Sequence, residues 1–301
     1  MPPSTRSGAA TTAPVALALL LAACGGAGSM TPTPRPTATP ATLAPSRTPS
    51  LPPLAQAVAA FRSDEARNPM TLAAQITTVE QELRSPSAPV ADEAQLAALD
   101  EVAYVQLATT PSWQPTVLAE LPAAVAPIAR ANLAAATDID TLNRPRDTLP
   151  DWAIQAPLPA STLLGYYRQA QQTYGVPWQY LAAINLVETG FGRIHGLSSA
   201  GAEGPMQFEP ATWDEYGNGG DVNNPADAIP AAARCLKAHG APGDMRGAIY
   251  GYNPTDLYVD AITRYAAQMQ ASMAAFDAYY AWPVLLSLQQ GYGLLAEGFS
   301  N

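Results

Sequence analysis

Apolar residues recur at steps of three and four through most of this chain, and sustained alternation is rare, which predicts helices rather than strands. Asn68-Pro69 offers a cap and a first-turn proline ahead of Leu72, Ile76, Val79 and Leu83. Residues 92–109 repeat the pattern through Leu96, Leu99, Val102 and Leu107. Pro115, Pro122 and Pro127 then divide the chain into short helices, with Val125, Ile128 and Leu133 on a shared face. Ser161 is placed to cap a helix through Leu163, Leu164, Tyr167 and Tyr174, which stops at Gly175. Pro177 suits the first turn of the next helix, where no amide donor is needed. Leu181, Ile184 and Glu188 share one side of that helix, and Gly190 ends it. Asn224-Pro225 starts another helix with Asp227 in its first turn. Phe276, Tyr279, Tyr280 and Trp282 lead into Val284-Leu285-Leu286, a final helix and extended tail. The expected fold is mainly α.

Proline marks where these helical stretches end. The Thr, Pro, Ser and Ala of 24–54 cannot bury a core and read as an extended tether. A second proline-rich connector covers 144–159 and contains Trp152, read as a packing anchor or a sugar-stacking ring. The chain therefore divides into a leader, 1–23; the tether; a helical region, 55–143; the connector; a main helical domain, 160–271; and a C-terminal helix and tail, 272–301. In the leader, Arg6 precedes an apolar run from Ala13 to Ala23, about half of the ~20 residues needed to span a bilayer. That run ends Leu21-Ala22-Ala23-Cys24 and resembles a bacterial lipobox. The resemblance implies a lipid on Cys24, a membrane anchor, and residence in the cell envelope on the exported face. An ordinary signal peptide with an incidental cysteine is the alternative.

Composition narrows the chemistry. A net charge of −10 argues against a nucleic-acid partner. Lys237 is the only lysine, which leaves little room for Schiff-base or phosphate-binding chemistry. Neither His195 nor His239 has acidic company, so no metal site is expected, and no cofactor. Asp221, Asn223 and Asp227 lack the EF-hand spacing and read as helix capping. Cys235 lies in an alanine-rich helix and reads as a small buried residue; pairing with Cys24 is the alternative, which lipidation excludes.

What stands out is Glu188, at the C-terminal end of its helix. A general acid must hold its proton near neutral pH, above the free value of about 4.3. The negative end of the helix dipole disfavours another negative charge by roughly 0.3–1 kcal/mol. Leu186, Val187 and Phe191 supply apolar surface that strips water from the carboxyl. Together these raise the pKa by about one to two.

Three ordered blocks surround that glutamate: GVPWQYLAAINLVETGFGR, AGAEGPMQFEPATW and AIYGYNPTDLYV. Together they resemble the catalytic domain of lytic transglycosylases, whose fold is similar to goose-type lysozyme. The resemblance implies cleavage of the β-1,4 bond between N-acetylmuramic acid and N-acetylglucosamine in peptidoglycan glycan strands. It implies that Glu188 serves as acid and then base, giving a 1,6-anhydro product. Met206, Gln207 and Phe208 would line sugar subsites, with Gly204 admitting close approach of a backbone. Tyr252 and Asn253 match a pair that orients the glutamate and steadies the N-acetyl group, and Tyr258 a tyrosine near the acid.

Some positions depart from the family pattern. Thr189 follows the acid where serine is commoner and keeps a hydroxyl for substrate; Gly251 replaces a common alanine and is expected to loosen the wall. Glu203 and Glu209 flank the Met-Gln-Phe block. Either could be a second carboxylate and make the enzyme a hydrolytic muramidase. A peptidoglycan-binding lipoprotein without activity is the third reading.

Overall fold

The structure, a computed structural model, describes residues 53–85 and 93–301. The leader, Cys24 and nearly all of the tether lie outside the described residues. Twelve α-helices carry most of the described chain. The fold is mainly α, with two short two-stranded sheets.

Five helices come first: α1 (Pro53–Asp64), α2 (Pro69–Leu83), α3 (Glu93–Thr109), α4 (Gln114–Glu120) and α5 (Ala126–Leu142). Asn68 caps α2 as its sequence suggests, its side chain accepting a bond from the Thr71 amide. α5 is longer than the proline spacing implied. Pro127 sits in its first turn, where a missing amide costs nothing, so the helix continues for 17 residues.

α6 (Ala160–Tyr174) and α7 (Trp178–Thr189) follow. Their starts differ from expectation: Pro159 precedes α6 and Ser161 lies inside it, while Pro177 is the cap of α7 rather than its first residue. Proline's fixed φ suits both helix starts, and no side-chain cap bond is made at either. α8 (Pro210–Tyr216), α9 (Pro225–Ala238), α10 (Met245–Tyr252), α11 (Asp256–Ala271) and α12 (Met273–Ala281) complete the helical body. Asn224 caps α9 through the Ala226 amide, and Asp227 accepts from Asn224 and the Asp221 amide, so these groups are occupied in capping.

Beyond α12 the chain does not run out as a tail. β3 (Val284–Leu288) and β4 (Gly291–Leu295) form an antiparallel hairpin, with Val284 opposite Leu295. The connector is zipped to it: the Arg146 amide donates to Ser287 and the Gln289 amide to Arg146. Further on, β1 (Ala153–Ile154) pairs with β2 (Ile194–His195), and the Ile154 amide donates to Phe299. α1 lays Ala57 and Val58 on the hairpin's Val284, Leu286 and Leu295 with Trp152 beneath, a small second core.

The principal core runs without interruption from Leu72 and Ile76 of α2 through Tyr104, Tyr167 and Ile184 to Tyr258, Ile262 and Phe276. Inside it lies a polar joint. Glu80 and Asn132 are both at most 2% exposed. Glu80 accepts from Tyr104 at 2.6 Å and Asn132 at 3.0 Å, and pairs with Arg84 at 2.6 Å. The Asn132 carbonyl oxygen accepts from Gln268 and Tyr279, each at 2.6 Å. Buried polar groups must be paired this completely because an orphan costs its full desolvation. The joint ties α2, α3 and α5 to α11 and α12, and so fixes α11 in place. Truncating Asn132→Ala should leave buried Glu80 and Tyr279 and half-buried Gln268 each short of a partner and lower stability by about 3 kcal/mol, read from the denaturant midpoint.

Candidate active site

α7 delivers Glu188 to an open cleft of about 580 Å³. The helix ends one residue later, where Gly190 takes a left-handed φ of 59° and its amide donates to Leu186. Phe191 follows at φ 63°, a conformation costly for a residue with a side chain. Its burial against Phe276 and Tyr280 compensates, the ring centroids lying 5.6 and 5.8 Å away. The reversal leaves the last turn of α7 facing the cleft, with Val187 and Glu188 in its wall.

Leu181 and Ile184, on the same side of α7 as Glu188, are fully buried, so the carboxyl emerges from a dry helix face. Among the described residues its one hydrogen-bond partner is Tyr258 of α11, whose hydroxyl donates to Oε1 at 2.6 Å. Burial pushes the carboxyl up from 4.5 to about 7, and the Tyr258 bond draws it back part of the way. Desolvation dominates. Tyr258 and Tyr252 are themselves pushed well above 10, first by burial and then by the nearby carboxylate, so both remain donors.

The Met-Gln-Phe block forms a tight turn opposite. Glu203 and Phe208 exchange two backbone bonds at 3.0 Å, and the Gln207 amide closes onto Gly204. Gln207 and Phe208 line the cleft; Phe208 packs edge-on to Trp213 and Tyr252. One side-chain N–H of Gln207 is committed to the Gly204 carbonyl, leaving its oxygen available. Asn253 and Tyr258 also line the cleft.

Several expectations change here. Met206 is fully buried and contributes its carbonyl, which accepts from the Tyr252 hydroxyl at 2.6 Å; its side chain is core. Tyr252 therefore braces the block, and the tyrosine that orients Glu188 is Tyr258. Thr189 is also fully buried: it donates to the Pro205 carbonyl at 2.7 Å and accepts from the Gly192 amide at 3.0 Å. With Asn185, which reaches the same carbonyl, it fastens the end of α7 to the block rather than facing a ligand. Gly204 is needed for packing, since a Cβ there would meet the Val222 carbonyl oxygen at 2.0 Å. Nor does Gly251 open the wall; His239 fills the space its Cβ would take, at 2.4 Å.

Of the flanking carboxylates, Glu209 is exposed and lines the cleft, and Glu203 does not line it. Glu215, Cys235 and His239 line another part of the wall, which sequence patterning did not single out. Cys235 is buried and unpaired, its thiol pushed up to about 12 by burial, 3.7 Å from His239 Nδ1. Such a thiol is inert at neutral pH. Among the described residues no three His, Cys, Asp or Glu side chains are grouped to hold a metal ion. Nor is any described helix long and apolar enough to cross a membrane.

The wall also includes Ile139, Leu142 and Asn143, from the end of α5, and Trp152. Ile139 and Leu142 follow the same helical spacing as the core residues of α5, so nothing in the pattern distinguishes them; Trp152, read as a packing anchor or a stacking ring, is buried in the second core. No curated protein and no solved structure matches the chain. Residues 165–272, which contain Glu188, the Met-Gln-Phe block and Tyr258, match the family described as the Transglycosylase SLT domain. Over that stretch the chain is similar to lytic transglycosylases.

Proposed function

We propose that this protein is a peptidoglycan lytic transglycosylase, with Glu188 as its acid and base. The observation that carries the reading is a single partly buried carboxyl of pKa about 7, aimed by Tyr258 into a cleft within a transglycosylase SLT domain. A group that titrates near neutrality can both give and take a proton at the working pH. Protonated Glu188 donates to the oxygen bridging N-acetylmuramic acid and N-acetylglucosamine, and the C1–O bond breaks with the pair leaving on oxygen. The resulting carboxylate takes the proton from the muramyl 6-hydroxyl. That oxygen then bonds to C1, closing a 1,6-anhydro ring, and Glu188 ends protonated as it began. No water is consumed.

The cleft supports this economy. Gln207 and Asn253 offer amides for an N-acetyl group. Phe208, only 2% exposed, backs the cleft as core, and the buried Thr189 and Met206, with Gly204 packed on Val222, act behind this surface by holding the block against α7. A family that acts on the cell wall accords with an exported, lipid-anchored protein at Cys24, working in the envelope at the reach of its tether. Hydrolysis is the second reading, favoured by the exposed Glu209 in the same cleft. The product separates the two, because an anhydro muropeptide is lighter by one water than its hydrolysed counterpart.

Digestion of purified sacculi should release anhydro muropeptides by mass spectrometry, and Glu188→Gln should release none; hydrolysed products alone would overturn the proposal. The same variant has a stability signature. Folding raises the carboxyl from 4.5 to about 7, so as pH climbs the unfolded chain loses its proton first. Native stability contributed by the protonated group is complete below about pH 4.5 and falls until about pH 7, by roughly 3 kcal/mol at 1.36 kcal/mol per pKa unit. Glu188→Gln lacks that slope and should melt above the parent at pH 8, with the gain shrinking at pH 4.5.

Tyr258→Phe removes the bond that lowers the Glu188 pKa. The alkaline limb of its activity profile should therefore move to higher pH, while kcat drops about 10–100-fold as the carboxyl loses its orientation.

A further inference from the structure

The SLT match begins at residue 165, yet part of the cleft wall comes from earlier in the chain. Ile139 and Leu142 are half-buried and Asn143 is exposed, all at the end of α5. The Asn143 backbone amide closes the helix on Ile139, and its side-chain amide makes no hydrogen bond among the described residues. Trp152, buried in the second core, backs the same wall.

This wall is held from several directions. Asp138 pairs with Arg264 of α11, the helix that also carries Tyr258. Two residues on, Asp140 accepts from Tyr292 of β4. Past the helix end, Arg146 is fixed by two backbone bonds to the β3–β4 hairpin, and its guanidinium stands 5.3 Å from the Trp152 ring. The Trp152 indole donates to the Leu197 carbonyl at 3.2 Å. Ion pairs and hydrogen bonds thus bracket Ile139, Leu142 and Asn143 from both sides, and none of them uses the side chains of these three.

We propose that Ile139, Leu142 and Asn143 form a sugar-binding wall, adding affinity for the glycan strand without touching the proton transfer. The inference rests on the transglycosylase reading for its substrate. A pyranose presents a C–H face and a polar rim, and an N-acetyl sugar adds an amide; the wall offers aliphatic surface beside a free amide to match. It is continuous with the surface around Glu188, so a strand seated at the carboxyl meets it. The C-terminal hairpin and α1, which lie outside the SLT match, acquire a role as its scaffold.

The test uses the full chain carrying Glu188→Gln, so that binding is measured without turnover. Its equilibrium binding to purified glycan strands is compared with and without their peptide stems. Adding Leu142→Ser or Asn143→Ala should weaken binding to stem-free strands about 5–20-fold, whereas Leu142→Met should bind like the parent; unchanged melting excludes misfolding. In the otherwise native enzyme the same substitutions should raise KM several-fold and alter kcat far less. Equal binding by parent and variants would overturn the inference and leave the transglycosylase reading intact. A loss confined to stem-bearing strands would overturn it too, giving the wall to the peptide. A parent that binds neither strand would remove the substrate reading and this wall together.

Discussion

The structure depends on holding one carboxyl nearly dry at the wall of an open cleft. Glu188 meets both conditions at the last turn of α7. Buried Leu181 and Ile184 lie along the helix behind it, a cleft lies in front, and one tyrosine bond sets its direction. Removing water raises the pKa, whereas donation from Tyr258 lowers it, and the balance falls near neutrality. More burial would leave a weaker acid, slow to release its proton; more hydrogen bonding would leave a carboxyl already ionised at neutral pH.

That balance requires the three contributing elements to hold still relative to one another. α7 is fastened to the Met-Gln-Phe block through Thr189, Asn185 and the Pro205 carbonyl. The block is braced on α10 by the Tyr252 hydroxyl. α11, which brings Tyr258, is fixed by the polar joint of Glu80, Asn132 and Gln268. Many residues that look like ligand contacts in sequence thus serve to position others. The first helices are not a separate appendage, because their apolar faces merge with the core that backs α7 and α11.

Much of this was legible in the chain itself. Helical periodicity, the caps at Asn68 and Asn224, the stop at Gly190 and the position of Glu188 are local properties, set by spacing and backbone preference within a few residues. The three blocks carried the family resemblance because each is a short contiguous run whose residue types can be read without the fold. Other features were ambiguous for physical reasons. Val284–Leu288 is almost wholly buried, so it lacks the alternation that marks a half-exposed strand, and it read as a tail. Pro127 read as an interruption because proline at a helix start and proline in a helix interior look alike until the preceding residues are placed.

By itself, then, the sequence determined the helices and the place of Glu188 at the end of one of them, since each follows from neighbours along the chain. Tertiary structure alone decided what each hydroxyl and carbonyl faces: Tyr258 rather than Tyr252 on the carboxyl, Thr189 and Met206 turned into the interior, and the end of α5 brought into the cleft. Those outcomes depend on which surfaces exclude water between segments far apart in sequence, and local patterning carries no record of that distance. Glu188 could be named from its place on a helix; its pKa could come only from the elements that close around it.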